Sequence, residues 1–254
     1  MSLYVQVQGE GPDLVMIHGW GMHGGVWGPV LDVLSAQFRL HIVDLPGLGH
    51  SATVLPYTLD TLSDAVAQIA PEKVAVCGWS LGGQVALNWA LRRPEQVDQL
   101  LLVGATPRFV NAADWRLGVE ATVFREFATQ VQQDYRGTLS KFIALQAYGG
   151  DTAKDTIRRL REHFFERGEP AAQDLQAGLD ILLKTDLRGE LAQIKASVLV
   201  LHGDYDKLAP VKATAWLAEH LPTADLRICK GASHAPFLSH PAWFVEQLKG
   251  FVGG

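Results

Sequence analysis

Val74-Ala-Val-Cys-Gly-Trp-Ser-Leu-Gly-Gly-Gln-Val-Ala-Leu87 joins a short apolar run to a helical pattern through Gly78-Trp79-Ser80-Leu81-Gly82. The pattern G-x-S-x-G, read strand then sharp turn then helix, places a serine hydroxyl clear of a sheet edge. The chemistry requires the glycines. A strained turn brings the residues two before and two after the serine into close approach, and only very small ones fit. The helix that follows aims its first N–H groups at the reacting centre. Ser80 is therefore the expected nucleophile.

On either side the chain repeats one rhythm. Leu14-Val-Met-Ile17, Leu40-His-Ile-Val43 and Leu100-Leu-Leu-Val103 are continuous apolar runs, two of them ending in His18-Gly19 and Asp44-Leu-Pro-Gly47. Such runs suit parallel strands covered on both faces. Helical patterns lie between them, at about residues 26–36, 58–70 and 81–92, and Thr58 with Asp60 gives the second a start signal. Alternation at this spacing means βαβ units. The first ten residues alternate apolar and polar side chains like a strand. After Thr106-Pro107 the rhythm stops. To about Lys184 only helical periodicity is found, interrupted by Gly137, Gly149-Gly150 and Gly168-Glu-Pro170. It resumes at Val198-Leu-Val-Leu201, Trp216–His220, Leu226-Arg-Ile-Cys229 and a last helix near Trp243–Val252. The expectation is one α/β core, residues 1–106 and 186–254, with an all-helical cap inserted at 107–185.

Composition excludes several classes. The chain has 254 residues, 48% apolar and 19% charged, with 22 Lys+Arg against 27 Asp+Glu for a net charge of −5. That balance buries a core and rules out a disordered chain. It gives no reason to expect a nucleic-acid partner. Cys77 and Cys229 alone make neither a disulfide scaffold nor a Cys-rich metal site, and Cys77, beneath the elbow, reads as a packing residue. No positive n-region with an apolar stretch marks a secretory signal, and no apolar run approaches a bilayer's width. A soluble cytoplasmic protein, away from membranes and monomeric, is expected.

A serine hydroxyl needs a base. In nucleophile elbows of this kind the partners follow in the order Ser, acid, His. Of the later histidines, His163 falls in the helical insertion, His202 ends an apolar strand, His220 ends a helix and His240 starts one. His234 lies in the small-residue loop Gly231-Ala-Ser-His-Ala-Pro236, which can carry an imidazole to the C-terminal edge of the sheet. It is the expected base. The loop His202-Gly-Asp-Tyr-Asp-Lys-Leu-Ala-Pro210 offers Asp204 and Asp206; the Gly-x-x-Asp spacing favours Asp206, with the task of fixing the imidazole tautomer. A metal site on these residues lacks the usual ligand spacing and leaves the elbow unexplained, so neither metal nor cofactor is expected. The oxyanion needs N–H donors: Leu81, after the nucleophile, and Trp20, in the glycine-rich loop His18-Gly-Trp-Gly21.

These stretches, with Asp44-Leu-Pro-Gly-Leu-Gly-His-Ser51, resemble the α/β-hydrolase superfamily from first strand to last helix. More narrowly, Phe142-Ile-Ala-Leu-Gln146, Gly178-Leu-Asp-Ile-Leu182 and His234-Ala-Pro-Phe-Leu-Ser-His-Pro241 resemble the esterases that demethylate pimeloyl-acyl-carrier protein methyl ester in biotin biosynthesis. The resemblance implies a serine carboxylesterase whose substrate is lined by Trp20, Ser80, Leu81, Phe142, Ile143, Ala144, Leu145, Gln146 and His234. It also implies an acidic acyl-carrier protein as partner. Between residues 136 and 161 the cap carries Arg136, Lys141, Lys154, Arg158, Arg159 and Arg161 against Asp151 and Asp155, and such a basic face would steer that carrier; Arg136, Lys141, Lys154 and Arg158 are the expected docking residues. The same triad would equally serve a broad short-chain carboxylesterase, a carbon–carbon bond hydrolase or a ligand receptor without turnover.

Overall fold

Continuous apolar runs become strands here because both their faces are covered. The computed structural model describes residues 3–148, 152–164 and 166–253. In chain order the elements are β1 (Val5–Gln8), β2 (Asp13–Ile17), α1 (Gly28–Ser35), β3 (Arg39–Val43), α2 (Leu59–Ile69), β4 (Val74–Trp79), α3 (Leu81–Arg92) and β5 (Val97–Val103). Four helices follow: α4 (Ala121–Gln133), α5 (Tyr135–Gln146), α6 (Ala153–Phe164) and α7 (Ala172–Lys184). The rhythm then returns with β6 (Ser197–Gly203), α8 (Val211–His220), β7 (Ala224–Cys229), α9 (Pro236–Ser239) and α10 (Pro241–Val252).

The strands form one sheet in the order β1-β3-β2-β4-β5-β6-β7, with β1 antiparallel to β3 and the other neighbours parallel. All six residues of β4 are buried, as a strand in mid-sheet between two helical layers demands. Next to it α3 buries every residue from Leu81 to Ala90. The expected start of α2 is realised as a reciprocal cap: Thr58 Oγ1 accepts from Thr61 N–H at 3.2 Å, and Thr61 Oγ1 from Thr58 N–H at 2.9 Å.

Three readings need correction. The first helix opens two residues late, because Gly24–Trp27 forms a 3-10 turn capped by His23. The N-terminal strand is only Val5–Gln8. Gly137 does not break the cap pattern but lies in the first turn of α5, where Asp134 accepts its N–H at 3.0 Å and a Cβ would press into that carboxylate. Gly149-Gly150 and Asp151 lie outside the described residues.

The C-terminal ends of β2, β4, β6 and β7 carry His18, Ser80, Asp206 and the His234 loop to one edge of the sheet, where open α/β folds bind ligands. The helices α4–α7 are tied to the core at named points. Thr53 Oγ1 donates to Asp174 Oδ1 at 2.7 Å, and Arg159 Nη1 to the Leu238 carbonyl at 3.2 Å. Between α6 and α7, Arg167 forms an ion pair with the fully buried Asp44 at 2.9 Å, and its guanidinium also covers the Tyr4 ring. Burial alone would raise the Asp44 carboxyl, but the N–H groups of His50 and Gly24 and the Arg167 charge hold it below the ordinary range. Arg167→Met therefore leaves a buried carboxylate short of its counter-charge, at a cost of about 3 kcal/mol. Urea unfolding reads this directly; a change below about 1 kcal/mol would show that the backbone donors suffice.

Candidate active site

Ser80 is the one described non-glycine residue with positive φ, at φ 56° and ψ −117°. A β-carbon in that region stores strain on the order of 1–3 kcal/mol. The flanking bonds hold it there: Ser80 N–H donates to Val103 O at 2.9 Å, and Ser80 O accepts from Gly83 N–H at 2.9 Å. The glycines are as cramped as the motif implies, since a Cβ on Gly78 would strike the Gly82 carbonyl and one on Gly82 the Ile17 and His18 carbonyls. Leu81 opens α3, and a first-turn N–H has no acceptor within its own helix.

His234 is clamped on three sides. Its N–H donates to Gln146 O at 3.0 Å, its carbonyl accepts from Trp79 Nε1 at 2.9 Å, and Nδ1 lies 2.7 Å from Asp206 Oδ2. The other carboxylate oxygen of Asp206 accepts N–H bonds from Leu208 and Ala209 at 2.8 and 2.9 Å. Burial would raise this carboxyl; its pairing with His234 and the Ala209 N–H outweigh that and hold it below the ordinary range. A carboxylate only accepts, so Nδ1 carries the proton and Nε2 is left bare. That nitrogen is buried and has no hydrogen-bond partner, the Ser80 hydroxyl included. Contacts of this kind are often long without substrate and tighten when it binds.

The alternative residues go elsewhere. Asp204 Oδ1 accepts from Gly231 N–H at 2.8 Å, which steadies the start of the His234 loop. His202 lies within 2.6 Å of the Ala209 carbonyl, and burial lowers its pKa, so it sits neutral behind Asp206. His220 stacks on Trp216 at the surface. His240 N-caps α10 with no side-chain cap bond. Burial pushes the Cys77 thiol well up, leaving it an unreactive packing group.

The loop of Gly19 and Trp20 lies against the elbow: a Cβ on Gly19 would stand 3.2 Å from Ser80 Cβ and 3.1 Å from the Trp79 ring. His18 secures the loop from below. Burial brings its pKa to about 4, so the neutral ring pairs with Gly19 O at 2.8 Å through Nδ1 and accepts Leu45 N–H at 2.9 Å through Nε2.

Ser80 faces a cavity of about 130 Å³ whose other walls are apolar. Trp20, Phe142 and Leu145 line it as expected; Leu81, Ile143, Ala144, Gln146 and His234 do not. The reason is geometric. Successive helical residues turn about 100°, so five in a row cannot share a face; Ile143 packs into the core instead, and Gln146 is buried toward Thr156, Ser233 and Ser239. The remaining walls are Phe109, Val119, Val123, Phe124, Phe127, Leu179, Leu182 and Leu208. Val123, Phe124 and Phe127 at helical spacing were the available signal for α4, and Leu179 with Leu182 for α7.

The basic face is thinner than its sequence suggests. Arg136 pairs with Glu169, and Arg158 with Glu162 at 3.1 Å and Asp155 at 3.5 Å. Lys141 and Lys154 are exposed. Among the described residues no cluster of three His, Cys, Asp or Glu side chains could hold a metal ion, and no helix is long and apolar enough to cross a membrane.

A family model described as the alpha/beta hydrolase fold matches residues 12–241. The chain is 45% identical to the pimeloyl-acyl-carrier protein methyl ester esterase of Nitrosomonas europaea, over 96% of this chain and 97% of that one. With the enzyme of the same name from Aeromonas salmonicida it shares 42% identity over the full length of both. Among solved structures an esterase from Exiguobacterium antarcticum shares the fold with a TM-score of 0.91 at 23% identity, covering 99% of this chain and 96% of its own.

Proposed function

The chain belongs to the alpha/beta hydrolase fold family, and from that premise we propose that it is a serine carboxylesterase that demethylates pimeloyl-acyl-carrier protein methyl ester in biotin biosynthesis. One observation carries the reading. A strained serine opens onto an apolar cavity, at the same sheet edge as an imidazole whose Nδ1 is held 2.7 Å from a buried carboxylate and whose Nε2 is bare.

Each step assigns a residue. Ser80 Oγ attacks the carbonyl of the distal methyl ester while His234 Nε2 takes its proton. The N–H groups of Leu81 and Trp20 receive the oxyanion, and each such donor is worth about 3 kcal/mol. Asp206 stabilises the imidazolium without taking its proton. When the intermediate collapses, Nε2–H protonates methoxide and methanol leaves. Water then gives a proton to Nε2 and attacks the Ser80 ester; Nε2–H returns that proton to Ser80 Oγ as it leaves, and the free acid, still attached to its carrier, departs as its carboxylate. The polymethylene chain suits the cavity, where each buried methylene contributes about 0.8 kcal/mol.

The acidic carrier fits the exposed lysines better than the paired arginines. Lys141→Glu with Lys154→Glu should raise KM for the carrier-linked ester about fivefold at low salt and leave a short nitrophenyl ester untouched. Equal effects on both would argue against docking there. The test of the reading as a whole is kcat/KM for carrier-linked methyl pimelate against that short ester. The carrier substrate is expected to win by at least about 100-fold, or some 2.7 kcal/mol; parity would leave a broad carboxylesterase.

A further inference from the structure

Gly178 stands inside α7, where alanine is the better helix former. Space explains the choice. A Cβ there would lie 2.8 Å from Trp20 Cδ1 and 3.1 Å from Nε1, closer than side chains approach. The indole is held along its other edges and is open only toward the cavity it lines. Its Nε1 donates to the Leu175 carbonyl of the same helix at 2.9 Å, and Phe127 and Phe142 hold it edge-on at 5.7 and 5.2 Å between ring centroids. Only 3% of Trp20 is exposed. At its backbone end the neighbouring Gly19 is wedged against Ser80, as described above. One rigid side chain therefore links a cap helix to the segment that bears the Trp20 N–H.

We propose that Gly178 is a positioning residue for the oxyanion hole, acting through the Trp20 indole, so that α7 sets where one of the two N–H donors points. Gly178 does not line the cavity; a methyl group there reaches the substrate only by moving Trp20. The inference rests on Trp20 N–H being a donor. It adds that the cap is part of the catalytic geometry as well as a wall around the acyl chain.

The test is Gly178→Ala, assayed on carrier-linked methyl pimelate and on a short nitrophenyl ester. Displacing a donor by a fraction of an ångström is expected to lower kcat about ten- to a hundredfold. The factor in kcat should be the same for both substrates and larger than any change in KM, with Tm somewhat lowered, since the overpacking against Trp20 outweighs alanine's gain in the helix. Trp20→Phe removes Nε1 and its bond to the Leu175 carbonyl, so that the smaller ring can tilt away from the methyl group. In that background Gly178→Ala should lower kcat less than about twofold further, the non-additivity expected of residues in contact. A loss confined to the carrier substrate, a change in KM alone, or full additivity with Trp20→Phe would overturn the proposal. If Gly178→Ala alone fails to fold, the double variant decides: kcat close to that of Trp20→Phe supports the coupling, and a far lower one overturns it. Failure of the esterase reading is separate, because it is seen in the unsubstituted protein as an absence of methanol release.

Discussion

Ser80→Ala is expected to lower methyl ester hydrolysis on the order of 10⁶-fold, because a triad without its nucleophile keeps only the binding and oxyanion contributions. Folding should be untouched. Ser80 N–H and carbonyl make the structural bonds of the turn, and the substitution keeps both. Alanine also keeps the β-carbon, hence the strain of φ 56°. Ser80→Gly is the informative companion. It too lacks the hydroxyl and should be inactive, yet it relieves the positive-φ penalty and should gain about 1 kcal/mol of stability. Inactive variants that diverge in this way in a urea titration would show that the elbow spends stability to present its hydroxyl. A Ser80→Ala protein that still turned over the ester would remove the nucleophile.

Asp206→Asn tests the other end of the relay, and its effect should be nearly as large. The carboxylate accepts from His234 Nδ1 at 2.7 Å, and this leaves Nε2 free to take a proton. An amide nitrogen in the same place would donate to Nδ1, so the proton would move to Nε2 and the base would be lost. The Leu208 and Ala209 N–H bonds to Oδ1 can still be made to the amide oxygen, so the loop keeps its shape. The expected loss in kcat is roughly 10⁴-fold, about 5.5 kcal/mol, with KM little changed. Asp204→Asn, on the neighbouring loop contact to Gly231, should retain activity within about tenfold. Similar losses in the two variants would mean that loop rigidity rather than imidazole orientation is at stake.

Much of this was legible in the residues because it is written in local rules. Four-residue apolar runs became the sheet, Thr58 became a cap, and Gly78 and Gly82 proved to be forced by close backbone approach. His234 and Asp206 could be singled out since small-residue loops at strand ends leave few other places for a base and an acid. What stayed hidden depends on which way helices rotate against the core. Nothing local to Phe142–Gln146 tells which two of five residues see the cavity, and nothing near Asp44 announces Arg167, which arrives from 123 positions away. The basic face misled for a similar reason. Glu162 and Glu169 lie beyond the stretch in which the cations cluster; i,i+4 spacing on α6 returns Glu162 to Arg158, and the connection between α6 and α7 brings Glu169 to Arg136.

Carbonyl attack on a distal ester has an unusual consequence when the substrate is protein-bound: the acyl-enzyme is a covalent conjugate of enzyme and carrier. Excess enzyme mixed with carrier-linked methyl pimelate, quenched in acid at short times and measured by intact mass, should show a transient species at the summed mass of both proteins less methanol. Its digest should place the ester on the peptide containing Ser80. Methanol release without that conjugate at any time, or a conjugate formed through another residue, would contradict the account.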